Sequence, residues 1–421
     1  MTSSKPMLMD KSPCVSGLEI GAKPYIVNLD QYNQCKAQPM AWISSDEAIR
    51  LLGVRPQTLY AYVSRGRLEA RPDPEDPRRS LYSAEDVAQL ATRKSGPKRA
   101  AEIARASIAW GEPVLNSALT VIADERLCYR GVDAIALSRT ETLEGAAALF
   151  WAAPYAPRAT APTQSDGTLK TRLFAALAAR AATDPHARGR APAVLAVDAA
   201  TVLETLVGAV SGNIGQGAIH ERLGATWGLD REGADLVRRA LVLLMDHELN
   251  ASTFSARVAA STGASLPACA LAGLATLSGP LHGGAVAGVL AFLDEAETRG
   301  AERAVRTRLD EGRALPGFGH PLYPGGDPRA SELLSRFQPT DTISAVQAAV
   351  AQDSGQAPNV DFAIGAMMQR FALPADVAFT IFAIGRCIGW LGHAMEQTET
   401  GSLIRPRARY NGVMPNVARK A

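Results

Sequence analysis

Three short stretches hold the side chains best suited to acid–base chemistry: GPLHGGA (Gly279 to Ala285), PGFGHPLYPGGDPRA (Pro316 to Ala330) and PNVDF (Pro358 to Phe362). Together they supply two imidazoles, His282 and His320, and one carboxylate, Asp361. A histidine set among glycines and prolines lacks the bulky neighbours of a core side chain, and backbone there can approach a ligand closely. His282 precedes an apolar helical run, Val286 to Leu293, which places it at a helix N-terminus, where the dipole disfavours imidazolium. A neutral ring in that position donates a hydrogen bond to a carbonyl oxygen that is becoming an enol. Asp361 stands among Val360, Phe362, Ala363 and Ile364. Partial desolvation there raises its pKa and fits it to accept a proton from carbon.

A fourth stretch, LVLLMDHELNASTFSARVAAST, groups His247, Asn250, Ser252 and Thr253 after an apolar helix, as the floor of a cleft would be built. Taken alone, His247 is more often a core or helix-end histidine than a ligand contact. Arg329, Arg386 and Arg405 form a guanidinium set matched to a substrate bearing carboxylates, although an arginine taken by itself is more often a surface residue. Zinc is the competing explanation for the histidines, of which the chain has six. No HxxxH, HExxH or cysteine spacing supports it, and the arginines would repel a cation, so no metal site is expected.

The elements that must position these groups are mainly α-helical, because Ala- and Leu-rich segments with few β-branched alternations dominate the C-terminal part. A short β-like run, Leu127 to Arg130, precedes a helix capped near Thr140 or Thr142, and further helices run to Asp246. At 421 residues the chain has room for two or three domains. Residues 1–40 mix Ser, Pro, Gly and Lys without periodicity and read as a poorly ordered leader. From Trp42 the pattern tightens. Ser44 or Ser45 caps a helix that Gly53 ends, Pro56 opens a second helix reaching Ser64, and Ser83 caps a third after a Pro- and Asp-rich segment. The second helix would expose Arg55, Gln57, Thr58, Tyr60 and Tyr62, followed by Arg65, donors able to contact phosphates or base edges. This unit, 41–94, resembles the winged helix-turn-helix of the MerR and excisionase group, which implies DNA binding; a small helical domain binding protein would use the same elements. Residues 95–103 form a linker opening with Ser-Gly-Pro, and the large domain follows.

A net charge of +2 argues against a nucleic-acid coat over the whole chain. Five scattered cysteines without paired spacing fit a reducing cytoplasm. The longest aliphatic stretch, Val194 to Val210, is interrupted by Asp198 and Glu204, so no membrane span is expected.

DHELNAST, GPLHGGA, GFGH, DPRA, PNVDF and the terminal RPRARY together resemble the citrate synthase family, in the family's order, over roughly Ala104 to Gly412. The resemblance implies a two-domain helical fold over 104–421, with a small lid domain at about 283–386, and a homodimer. It implies that Asp361 removes a methyl proton from acetyl-CoA while His282 hydrogen-bonds the thioester oxygen. His320 would polarise oxaloacetate, with His247, Arg329, Arg386 and Arg405 holding its carboxylates. Leu315, Pro316, Gly317, Phe318 and Gly319 would meet CoA, a co-substrate, with no bound cofactor. Two departures bear on CoA: Pro324 stands where the family commonly has a basic residue, and Asp353, Ser354 and Gly355 stand where a lysine is common. Citrate formation is the expected activity, with 2-methylcitrate from propionyl-CoA, or a DNA-binding regulator with a ligand-sensing synthase-like domain, as alternatives.

Overall fold

A computed structural model describes residues 42–87 and 115–412, apart from 53, 55, 65–67, 74, 75, 77–79, 85, 160–165, 213–216 and 409. The expected leader and linker, and Arg55 and Arg65 of the exposed arginine set, lie outside the described residues.

The first unit begins with β1 (Trp42–Ser44), α1 (Ser45–Leu52) and α2 (Pro56–Ser64) and continues into β2 (Ala70–Pro72) and β3 (Ser80–Ser83). Ser44 Oγ accepts from the Glu47 amide, so Ser44 is the cap of α1. β3 is central in an antiparallel sheet ordered β1-β3-β2, and Ala48, Leu52, Leu59, Leu68, Tyr82 and Val87 make a small core of their own. Ser83 Oγ accepts from the Asp86 amide, as expected for the start of a third helix. Gln57 and Tyr60 are exposed on α2, and Thr58 is partly buried.

The second unit opens with an antiparallel meander, β4 (Thr120–Ala123), β5 (Arg126–Tyr129) and β6 (Val132–Asp133). It is followed by α3 (Ala134–Thr140) and α4 (Leu143–Trp151). Two helices stand where one was expected, because Asp133 caps the first and Thr142 the second. Then come α5 (Leu169–Thr183), α6 (Pro192–Ser211), α7 (Ile219–Thr226), α8 (Arg231–Leu243), α9 (Ala251–Ser261) and α10 (Leu266–Leu277). The chain closes with α11 (Ala285–Arg299), α12 (Ala301–Asp310), α13 (Pro328–Leu334), α14 (Asp341–Ser354), α15 (Val360–Arg370) and α16 (Ala375–Thr400).

Two hydrophobic cores organise these helices. The larger gathers β5, α3 to α10 and α16. The smaller gathers α11, α12, the Leu315–Phe318 segment and α14. α15 belongs to both: Val360, Ala363, Ile364, Met367 and Met368 face the larger core, while Phe362 and Ala366 face the smaller. α6 and α16 are long and apolar enough to cross a membrane, but 83% and 94% of their apolar windows are buried inside the protein. Polar Asp198, Glu204 and Arg386 lie within them, as suits core helices.

Candidate active site

The local sequence builds the site from loops pinned to helix ends. Asn250 caps α9, its Oδ1 accepting from the Ser252 and Thr253 amides, and this folds the His247 loop back over the end of α8. Asn359 caps α15 in the same way, and its Nδ2 donates to Gly319 O at 3.0 Å. Gly319 N donates to Ala357 O and Asn359 N to Gly317 O, so the His320 loop is zipped to the start of the helix that carries Asp361. Gly317 adopts φ +82°, and a Cβ there would lie 2.7 Å from Phe362, so only glycine permits this approach.

The expected residues converge in most cases. His247 and His320 meet edge to face, with centroids 5.3 Å apart, and Tyr323 contacts both rings. His247 Nε2 lies 2.9 Å from the Tyr323 hydroxyl. The Leu322 amide donates to His320 Nδ1 at 3.1 Å, so the neutral ring carries its proton on Nε2. His282 lies in the turn before α11 rather than on its first residue, and its Nε2 is 2.8 Å from Ser252 Oγ. Ser252 Oγ also accepts from Trp390 Nε1 and lies 2.7 Å from Asn250 Oδ1. With one proton for two acceptors, Ser252 selects between two His282 tautomers. When it donates to Nε2, the His282 proton sits on Nδ1.

Arg329 is buried in a bidentate pair with Asp327, with Nε–Oδ1 at 2.9 Å and Nη2–Oδ2 at 2.8 Å. Asp327 Oδ2 also accepts from the Val360 amide, which ties Arg329 to the N-terminus of α15. Arg386 is buried on α16, its Nε donating to Leu244 O, while its Nη1 has no hydrogen-bond partner among the described residues. A buried guanidinium with a vacant donor suits an incoming carboxylate. Arg405 is exposed on the segment after α16 and, among the described residues, makes no hydrogen bond or ion pair with the cluster. Leu315 and Phe318 are packed into the smaller core, which leaves the backbone of 315–319, not those side chains, as the surface for a ligand.

The electrostatics follow from burial among cations. Burial, then Arg329 and Arg386, hold His247 well below the ordinary imidazole range. Burial and Arg386 push His282 down to about 4, so desolvation and a guanidinium keep it neutral. Burial and Arg329 lower His320. Asp361 behaves oppositely, since burial pushes it up to about 6 against the pull of Arg329. Burial alone would raise Asp327, but the Arg329 guanidinium outweighs it and holds the carboxyl down.

Several members of the cluster were not singled out from sequence. Tyr323 and Asp327 lie inside the motifs themselves, so their types and places were available, whereas Ser252 was already grouped with His247. The Asp246–His393 contact, 3.2 Å and fully buried behind His247, spans 147 positions and has no local signal. Arg257 donates to His393 Nδ1, so a neutral His393 turns its Nε2–H to Asp246.

Neutral imidazoles, paired guanidinium groups and a high-pKa carboxyl thus meet in a helical two-core fold, a set of groups suited to acid–base chemistry. Residues 158–407 match the family described as citrate synthase, C-terminal domain. The chain belongs to the citrate synthase family. It is 39% identical over 191 residues to a citrate synthase of Haloferax volcanii, covering 42% of this chain and 50% of that one. It is 34% identical over 186 residues to 2-methylcitrate synthase 1 of Corynebacterium glutamicum, covering 42% and 49%. These matches span about half the length of either relative. The crystal structure of citrate synthase from Thermotoga maritima superposes with a TM-score of 0.60 at 26% identity, over 72% of this chain and 95% of that one.

Proposed function

We propose that the chain condenses acetyl-CoA with oxaloacetate and hydrolyses the product to citrate and CoA. The observation that carries this reading is the set of three histidines held neutral beside Arg329 and Arg386, with Asp361 raised to about 6. The Asp361 carboxylate takes a proton from the methyl carbon, and His282, donating from Nδ1 in the tautomer in which Ser252 donates to its Nε2, hydrogen-bonds the thioester oxygen as the enol forms. The enol carbon then bonds to the keto carbon of oxaloacetate, whose oxygen is met by the Nε2–H of His320. Water cleaves the thioester and CoA leaves as the thiol. His247, Arg329 and Arg386 hold the substrate carboxylates, and Arg405 reaches the site of a second copy in a homodimer, which accounts for its exposure in one chain. Residues 315–319 line CoA through their backbone. No bound cofactor takes part, and a cytoplasmic location suits both substrates.

We also propose a lid domain at about 283–386, built on the smaller core, that closes over the substrates and excludes water during enolisation. The test is thiol release from acetyl-CoA. It should require oxaloacetate and be lost in Asp361→Asn; release at the same rate without oxaloacetate, or none from either acetyl-CoA or propionyl-CoA, rejects the reading. A preference for propionyl-CoA would instead make the product 2-methylcitrate, a reading favoured by the match to a 2-methylcitrate synthase.

A second activity is supported by one observation. The described residues of 42–87 place two short helices against a three-stranded antiparallel sheet, with Gln57 and Tyr60 exposed on the second helix. We propose that this unit is a winged helix-turn-helix that binds DNA, with 95–103 as the linker to the synthase-like domain.

A further inference from the structure

The meander at 120–133 lies outside every motif, yet three backbone features tie it to the site. Ala123 and Arg126 pair across the β4–β5 hairpin, leaving Asp124 and Glu125 as a two-residue turn. Both have positive φ, +49° and +59°, as a type I′ turn requires. Glycine or asparagine is the ordinary occupant of such positions, and a glutamate there is strained. Glu125 reaches across 200 positions of sequence, and its Oε2 accepts from the Gly325 amide at 3.0 Å in the loop of His320 and Tyr323. At the other strand, Glu248 Oε1 accepts from the Ile122 amide at 2.7 Å. Glu248 follows His247 directly and is itself left-handed, with φ +51°.

We infer that the β4–β5 hairpin is a strut between the His247 loop and the His320 loop, with Glu125 and Glu248 as positioning residues that fix the spacing of the two rings. Strained non-glycine residues persist where surrounding contacts over-determine them, and here both strained glutamates spend their carboxylates on site-loop or hairpin amides. Tyr129 strengthens the anchoring, its hydroxyl lying 3.1 Å from Leu243 O and 3.3 Å from Asp246 O, just before His247. Through the loop, Glu125 acts on groups it does not touch: the Leu322 amide bound to His320 Nδ1 and the Tyr323 amide bound to His320 O.

The role in turnover rests on the condensation reading above, so the test separates the two in Glu125→Gly, Glu125→Gln and the parent. Glycine relieves the left-handed strain but removes the acceptor, whereas glutamine keeps an acceptor oxygen. Glu125→Gly should keep or raise the thermal midpoint while lowering kcat/KM for oxaloacetate by about 5- to 20-fold, the size of effect expected from a small displacement of positioned groups. Glu125→Gln should recover most of that loss. Amide exchange at Leu322 and Tyr323 should quicken in Glu125→Gly and not in Glu125→Gln, whether or not the protein turns over. Exchange that quickens only at Gly325, or a Glu125→Gly variant with parental kcat/KM, overturns the strut. A parent that turns over no acyl-CoA rejects the condensation reading instead, and the exchange at Leu322 and Tyr323 then decides the strut alone.

Discussion

Asp361 is held in a state that opposes its own ionisation. Its carboxyl titrates near 6 in the fold against an ordinary value of 3.8, because burial outweighs the attraction of Arg329 and Arg386. A carboxyl raised on folding contributes stability below its unfolded pKa and loses it as pH rises through the folded value. The ionised base therefore destabilises the protein at neutral pH, by about 3 kcal/mol at most from the size of the shift. Asp361→Asn should abolish thiol release yet raise the thermal midpoint at pH 7.5, and the gain should vanish as the comparison is moved below pH 4. Equal midpoints at pH 7.5 would contradict a desolvated carboxylate. Condensation should decline as pH falls through about 6, as Asp361 takes up its proton, while His282, lowered to about 4, stays neutral over that range.

At the scale of elements, α16 is the support on which the carboxylate-binding side rests. Gly385 and Gly389 lie against the end of α8: a Cβ on Gly385 would meet Leu241 O at 2.9 Å, and one on Gly389 would meet Met245 O at 2.5 Å. This close approach brings Arg386 to Leu244 O and His393 to Asp246. Gly389→Ala should cost about 1–3 kcal/mol through overpacking against rigid backbone and raise KM for oxaloacetate. Gly288→Ala, whose Cβ would have ordinary contact with Pro316 at 3.7 Å in a helix interior, should keep or raise the midpoint and serves as the control. The same helices mark how far the sequence could be read. His282, His320 and Asp361 were legible because glycine, proline and capping residues around them declare a loop or a helix start. The lowered pKa of His282 was legible in direction but not in cause, since Arg386 stands 104 residues later in the chain (386 − 282). His393 and Glu125 carried no signal at all: a buried helical histidine and a hairpin-tip glutamate acquire meaning only from partners that folding brings to them.

At the scale of the whole molecule, two units of different composition share one chain. The 42–87 unit has its own core and sheet. If it reads DNA, phosphate contacts dominate its affinity, and binding weakens steeply with salt. A sequence-selective, salt-dependent mobility shift of genomic fragments should be seen with the full chain and be lost when residues 42–94 are deleted. A shift that survives the deletion removes this unit from consideration.

The double allegiance of α15 has a consequence for how such proteins diversify. One face of this helix is shaped by the larger core and the other by the smaller, with Asp361 on the turn between them. A recombinant that imports residues 285–354 from a relative would set foreign side chains against the native Phe362 and Ala366. One that imports 360–370 as well would mismatch Val360, Ala363 and Ile364 instead. Neither crossover leaves both interfaces intact, so neither block should exchange as a cassette without loss of stability.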